Sequence, residues 1–560
     1  MTGAPSTSSS TQSKAASIAA YRAAPRDASR PVALIGFQEQ SNLGLGYLSA
    51  VLKQHGYSVD VFDFDQDPDV IVAHARASAP VLIGFSLIFQ FYVERFARLV
   101  RMLRDAGVSC HFTMGGHFPS LSHAHAFQLI PEMDSIVLFE GELTLLELTD
   151  ALSLGAEWRG VQGLAFRDGP KIVANPMRPL LHDLDELPYP DRNDIRPMTM
   201  VGRKAMPIVA SRGCIRTCSF CSIHVYYRTA PGKIVRTRKP RAVVEEMRAL
   251  YDERQIRVFL FQDDDFPLYG PKWRKWANDF VDELYVQNLV GNVIWKINCR
   301  ADAVEAELMA RMRDAGLCVV YMGLESGSEN GLETLNKEIT VEENLKAVAT
   351  LKSLGLHFEY GFMLFDPSST FETIADSLKF LRTIVGDGTA PASFCRMVPY
   401  DGTPIKETLI RQGRFKGDIV NPDYDFLDPR IEELFHALNR MVHVSGWIHG
   451  VEALTPQLQC ANTEIAVLER LFPPLPGFRA YKKAIRDVTR VANAKLFEVV
   501  ENTLAAFRED RDPAWTAELV REETVGYRER LFKLHDAFFD ANRGALIEAL
   551  ARDYPEAQVA

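Results

Sequence analysis

The stretch Cys214-Ile-Arg-Thr-Cys218-Ser-Phe-Cys221 places three cysteines in eight residues, spaced Cys-x-x-x-Cys-x-x-Cys. The run before it, Ala205-Met-Pro-Ile-Val-Ala210, has the apolar character of a buried strand, and Ser211-Arg-Gly213 breaks it. Glycine at that point permits a sharp turn. The cysteines therefore fall on a loop at a strand's C-terminal end, where α/β folds place their chemistry. Structural zinc sites take four ligands, usually two Cys-x-x-Cys pairs. Here Cys110, Cys299, Cys318, Cys395 and Cys460 are scattered and supply no second pair. A [4Fe-4S] cluster ordinarily takes four thiolates, so three leave one iron open to another ligand.

Downstream of the cysteines, apolar runs at 258–262, 293–298, 319–324, 358–365 and 393–398 alternate with helical patterns such as 241–251, 272–287, 304–315, 342–354 and 370–385. With the strand at 207–210 these make six βα units, a partial (β/α)6 barrel whose active residues belong at strand C-termini. Those ends read Phe261-Gln-Asp-Asp-Asp-Phe266, Asn298-Cys-Arg-Ala-Asp302, Gly323-Leu-Glu-Ser-Gly327 and Gly361-Phe-Met-Leu-Phe365. The cysteine motif, with an aromatic residue (Phe220) before the third cysteine, resembles the signature of radical S-adenosylmethionine (SAM) enzymes. The resemblance implies that Cys214, Cys218 and Cys221 hold a [4Fe-4S] cluster. It also implies that the open iron chelates SAM and that one electron cleaves SAM to methionine and a 5′-deoxyadenosyl radical. It assigns SAM contacts to Phe220, Asp263, Asp264, Arg300, Glu325, Ser326 and Phe362. In that scheme Arg300 meets the SAM carboxylate and Glu325 the ribose hydroxyls. The alternative is a zinc site of three cysteines completed by His224.

Upstream, strands at 32–36, 57–64, 81–87, 110–115 and 135–139 alternate with helices, the mark of a doubly wound parallel sheet. Loops after them carry Gln38, Asn42, Leu43 and Gly44, then Ser86 and Leu87, then Gly115, Gly116, His117 and Phe118, then Glu140, Gly141 and Glu142. No Gly-x-Gly-x-x-Gly follows the first strand, which disfavours a nicotinamide site. The module resembles the cobalamin-binding domain that precedes many radical SAM domains, and the resemblance makes these loop residues its cobalamin contacts. The Asp-x-His-x-x-Gly motif is absent, so no histidine from it serves as the cobalt lower ligand.

The fold class expected is thus α/β: a Rossmann-like cobalamin-binding domain, a partial radical SAM barrel and an all-helical C-terminal domain. The boundaries are a disordered polar tail at 1–30, the first domain at 31–180, a Pro-rich linker at 181–200, the barrel at 201–410 and the helical domain at 425–560. Trp447, His449, His535 and Phe538 are possible liners of a substrate site, with burial in the helical core the simpler expectation. Hydrophobic content of 47% and charged content of 24% are those of a soluble globular protein. No apolar run reaches the roughly 18 residues of a membrane span, and the first residues lack a signal-peptide pattern. Eight cysteines without a framework fit a reducing cytoplasm. A net charge of −10 disfavours nucleic-acid binding. The basic stretch Arg228 to Arg241 is expected to face solvent or an anionic ligand.

The reading is a cobalamin-dependent radical SAM enzyme that C-methylates an unactivated carbon of a small natural-product intermediate, free or carrier-bound. Methylcobalamin, two SAM and an electron donor such as flavodoxin or ferredoxin complete the scheme. Three rivals remain open: a ring-forming enzyme with the same cofactors, a tRNA methylthiotransferase, and a non-catalytic zinc-structured binding protein.

Overall fold

The structure, a computed structural model, describes residues 17–18, 21, 30–38, 42–192 and 197–554. The remainder of the expected tail, residues 39–41 of the first loop, residues 193–196 of the linker and residues 555–560 lie outside the described residues. The chain forms two units: residues up to Asp194 together with Val225–Arg236, and Ile195–His224 together with the chain from Thr237.

In the first unit five strands pair in parallel: β1 (Val32–Gly36), β2 (Val59–Asp63), β3 (Leu82–Ser86), β4 (His111–Gly115) and β5 (Ser135–Val137). Their order is β2-β1-β3-β4-β5, extended antiparallel by β6 (Leu164–Asp168) and β7 (Lys171–Ala174). All five residues of β1 are buried, as a central parallel strand covered on both faces requires. The order reverses between β1 and β3, and the loops after β1, β3, β4 and β5 share the C-terminal edge where such sheets bind ligands. The tail expectation fails at three positions. Ser17 Oγ donates to Glu186 Oε2 at 2.6 Å, Ile18 is buried, and the Tyr21 hydroxyl donates to Asp150.

The second unit is a curled half-barrel. Its sheet runs in chain order from β8 (Met198–Met200) through β9 (Arg203–Ile208), β10 (Val258–Phe261), β11 (Ile294–Cys299), β12 (Leu317–Glu325) and β13 (His357–Phe365) to β14 (Cys395–Arg396). All neighbours are parallel except the β8–β9 pair at the edge. The linker thus yields a strand, β9 starts four residues before the expected Pro207, and the sixth barrel strand is shorter than 393–398. Burial of Arg203 explains the second shift. Its guanidinium lies 4.4 Å from the Phe472 ring and pairs with Asp553, partners no local hydropathy pattern reveals. Capping boxes start two barrel helices, Thr340 with Glu343 before Val341–Ser353 and Thr370 with Thr373 before Phe371–Val385.

Four long helices follow: Pro429–Val444, Leu454–Leu471, Phe478–Arg508 and Ala517–Asp553. They share one continuous hydrophobic core with the barrel. Asn493 ties them to it, accepting from Ala392 N at 2.7 Å and donating to Val385 O at 2.7 Å and Ala390 O at 2.9 Å. Trp447 is buried, and Phe538 stacks on Tyr481 at 4.2 Å, so both belong to the core. The helix end reaches the first barrel strand, where Lys204 N donates to the Tyr554 hydroxyl at 3.0 Å. Among the described residues no helix is long and apolar enough to cross a membrane.

Candidate functional site

The cysteine loop leaves β9 through Ser211, Arg212 and Gly213, the last at φ +91°, a conformation that favours glycine. Three consecutive carboxylates at the end of β10 hold the turn. Asp263 accepts from Ala210 N at 3.2 Å and from Ser211 Oγ at 2.5 Å; Asp264 accepts from Gly213 N at 2.9 Å. Asp265 Oδ2 lies 3.9 Å from Cys214 Sγ. The far side of the loop is bonded to the segment after β12. Ser219 N donates to Leu335 O and Ser219 Oγ to Thr334 O, each at 2.9 Å, and Asn336 Nδ2 donates to Thr217 O at 2.8 Å. Burial pushes the thiols of Cys214 and Cys221 up to about 12 and about 11. Metal coordination replaces those protons outright.

Among the described residues no three His, Cys, Asp or Glu side chains converge on a point that one ion could occupy. An iron–sulfur cube does not require that, because each thiolate binds a different corner. Three sulfurs on a loop whose backbone is fixed from both sides fit such a group.

Burial also pushes Asp263 up to about 7 and Asp265 up to about 6. Asp263 and Asp264, two of the expected SAM contacts, bond the cysteine loop at Ala210, Ser211 and Gly213. Arg300 is buried, with Nη2 donating to Lys337 O at 2.6 Å, Nε to Asp302 at 3.1 Å and Nη1 to Cys218 Sγ at 3.7 Å. Phe362 is buried, its ring stacked on Phe380 at 5.8 Å. Phe220 also packs against the core, and Ser326 is buried with its Oγ accepting from Ser328 N at 3.2 Å.

Glu325 ends β12 at φ +65°, an unusual value for a non-glycine residue. Its Oε1 lies 3.1 Å from Lys337 Nζ, itself buried. Two glycines clear the ground around it. A Cβ on Gly323 would sit 2.2 Å from Glu325 Oε1, and one on Gly361 would sit 2.6 Å from the Tyr321 hydroxyl and 3.6 Å from Glu325 Oε2. Lys337 is the residue the sequence reading missed, because nothing local links it to Glu325. Deeper in the barrel a cavity of about 500 Å³ is lined by Gln262, Asn298, the Lys296–Glu359 ion pair and Gln459 from the C-terminal helices.

In the first unit the expected cobalamin residues lie at or just beyond the ends of β1, β3, β4 and β5. Gln38 Oε1 and Asn42 Nδ2 are buried there without a partner among the described residues. Asn42 also caps the helix Leu43–Gln54, accepting from Leu45 N at 3.2 Å. Gly116 takes φ +111°, and a Cβ would meet Leu87 O at 2.3 Å. His117 and Phe139 both pack on Tyr226, at 4.5 and 5.1 Å, and burial lowers the imidazole of His117 to about 4, leaving it neutral. Glu140 is committed elsewhere. Both its oxygens lie 2.8 Å from Arg236 Nη1, and it accepts from Leu181 N at 2.8 Å. The basic stretch is accordingly not all solvated, since Arg236 and Arg238 are buried, the latter on Glu246 and Val209 O. Unpartnered polar atoms beside glycine-built turns, on the ligand-binding edge of the sheet, fit a large cofactor held partly by backbone.

Two family models match the chain, the radical SAM superfamily over residues 208–381 and the B12 binding domain over residues 36–149. The chain belongs to the cobalamin-dependent radical SAM enzymes. Its cofactors are a [4Fe-4S] cluster, SAM and cobalamin. An uncharacterised methyltransferase of Pyrococcus horikoshii is 29% identical over 374 residues, 66% of this chain and 78% of that protein. The anaerobic magnesium-protoporphyrin IX monomethyl ester cyclase of Rubrivivax gelatinosus is 29% identical over 354 residues, 60% of this chain and 61% of that one. Among solved structures, the cobalamin-dependent SAM radical enzyme OxsB, with aqua-cobalamin and SAM bound, shares the fold. Its TM-score is 0.64 at 18% identity, covering 94% of this chain and 84% of that one.

Proposed function

We propose that this radical SAM enzyme is a C-methyltransferase, placing the methyl group of methylcobalamin on an unactivated carbon of a small biosynthetic intermediate and consuming two SAM per turnover. When bound, the cluster, SAM and cobalamin supply electron transfer, hydrogen abstraction and methyl donation, chemistry that no side chain provides. Cys214, Cys218 and Cys221 would hold the cluster. Glu325, oriented by Lys337, would accept hydrogen bonds from the ribose hydroxyls in the space that Gly323 and Gly361 leave open. Gln38, Asn42, Ser86, Leu87 and the Gly115–Phe118 turn would hold cobalamin. Asp263 and Asp264 act on the loop backbone and keep the three sulfurs in register. The interior cavity offers amide and charged groups to a polar substrate.

The observation that carries the reading is the cysteine loop, bonded on both sides at the end of β9, in a chain whose similarity to a methyltransferase spans 78% of that relative. The cyclase similarity keeps ring formation as a second reading, over 61% of the cyclase's length. Product mass separates them. Anaerobically reconstituted protein, given SAM, cobalamin, a reductant and extracts of the producing cells, is expected to yield a product heavier than its precursor by one CH2. A product that has gained no carbon overturns methylation and supports ring formation.

A further inference from the structure

The geometry points to Arg300 as a positioning residue for the cluster, donating an N–H···S bond to the Cys218 thiolate and so setting the potential at which the cluster accepts its electron; this rests on the cluster reading above. Arg300 Nη1 lies 3.7 Å from Cys218 Sγ, and both residues are buried. The guanidinium is locked in place by Lys337 O at 2.6 Å and by Asp302. Asp302 in turn holds Arg216, inside the cysteine loop, at 2.6 Å. The chain Arg216–Asp302–Arg300 is thus two cations around one anion, a net +1 against the loop. Other charges lie nearby: Asp265 beside Cys214 and Asp264 near Cys221 are negative, and Lys337 near Asp265 is positive.

Hydrogen bonds to cluster sulfurs and the local charge are the means by which a protein sets an iron–sulfur potential. Reduction adds one electron to the cluster, and a donor N–H and positive charge at one thiolate stabilise the more negative, reduced form. A hydrogen bond to a charged group is worth about tenfold in an equilibrium.

The test uses full-length reconstituted protein without SAM, with dithionite as the one-electron donor and the reduced cluster followed by EPR against potential. Arg300→Gln is expected to load four irons and to lower the reduced-to-oxidised ratio at fixed potential about tenfold, equivalent to about 59 mV for one electron. Arg300→Lys, which keeps the charge, should recover part of the ratio, and Asp302→Asn, which removes the anion, should raise it. An unmoved ratio in Arg300→Gln together with weaker SAM binding overturns the inference and returns Arg300 to the SAM carboxylate. If Arg300→Gln fails to load iron, the lysine and asparagine variants decide, and a ratio unchanged in both overturns it. Wild-type protein that takes up no iron defeats the cluster reading itself, a different failure.

Discussion

At the edge of the half-barrel, the loop that carries the cysteines is bonded almost residue by residue. Asp263, Asp264 and Asp265 meet positions 210 to 214, and Leu335, Thr334 and Asn336 meet Ser219 and Thr217. The edge of the N-terminal sheet is built differently. There Leu87 N donates to Gly115 O at 2.9 Å, Phe118 N to Ile88 O at 3.2 Å and Ser120 Oγ to Gly116 O at 2.7 Å, with aromatic rings packed on Tyr226. On the proposed reading three sulfurs meet three irons, which demands fixed side chains. A large macrocycle spreads its contacts over backbone and apolar surface, so no single side chain decides its binding.

The sharpest way to break this contrast is Cys218→Ala. Cluster iron and sulfide should fall to near zero, while cobalamin, measured by its absorbance in the purified protein, should remain. On the N-terminal edge the equivalent blow must fall on the backbone. Gly116→Val forces a branched side chain into a positive φ and against Leu87 O, at a cost of about 1–3 kcal/mol. Cobalamin retention should drop at least tenfold, roughly 1.4 kcal/mol, with iron content unchanged. Iron loss in that variant would erase the distinction between the two edges.

Glu325→Ala probes the barrel edge away from the loop. SAM affinity by calorimetry should weaken about tenfold, a loss of one charge-assisted hydrogen bond, with four irons retained. The smallest effect on cofactor content is expected from Asp263→Asn. Burial holds the folded-state pKa of Asp263 near 7, above its ordinary value of 3.8, so the folded protein binds the extra proton between those limits. Its contribution to stability therefore falls as pH rises from about 4 to about 7 and is level above that. The asparagine variant should flatten that part of the stability profile, measured by denaturation at several pH values.

Apolar runs such as Val32-Ala-Leu-Ile-Gly36 and strand-end motifs such as Gly323-Leu-Glu-Ser-Gly327 are local signals, and the two sheets and the cysteine loop were legible from them. What escaped was long-range. Arg203 is charged yet buried, because Asp553 and Phe472 arrive from the far end of the chain. Lys337 meets Glu325 only once β12 and the segment after it are folded, and Arg236 looks solvated until Glu140 is beside it. Asp263 and Asp264 were visible at a strand end, but their spacing alone does not tell a ligand contact from a bond to the neighbouring loop. Strand alternation gives the ring of Phe362 two possible faces, and its stacking on Phe380 emerges only in the folded strand.

The tie between Lys204 and Tyr554, with Leu550 packed against Gly202, has a consequence for synthesis on the ribosome. The strand that leads into the cysteine loop emerges some 350 residues before the hydroxyl that satisfies its backbone. A nascent chain therefore carries an uncovered β8–β9 hairpin for most of its translation, an exposure that invites aggregation. Cells making this protein faster than its C-terminal helices can dock should accumulate it as insoluble material in which the iron site was never assembled.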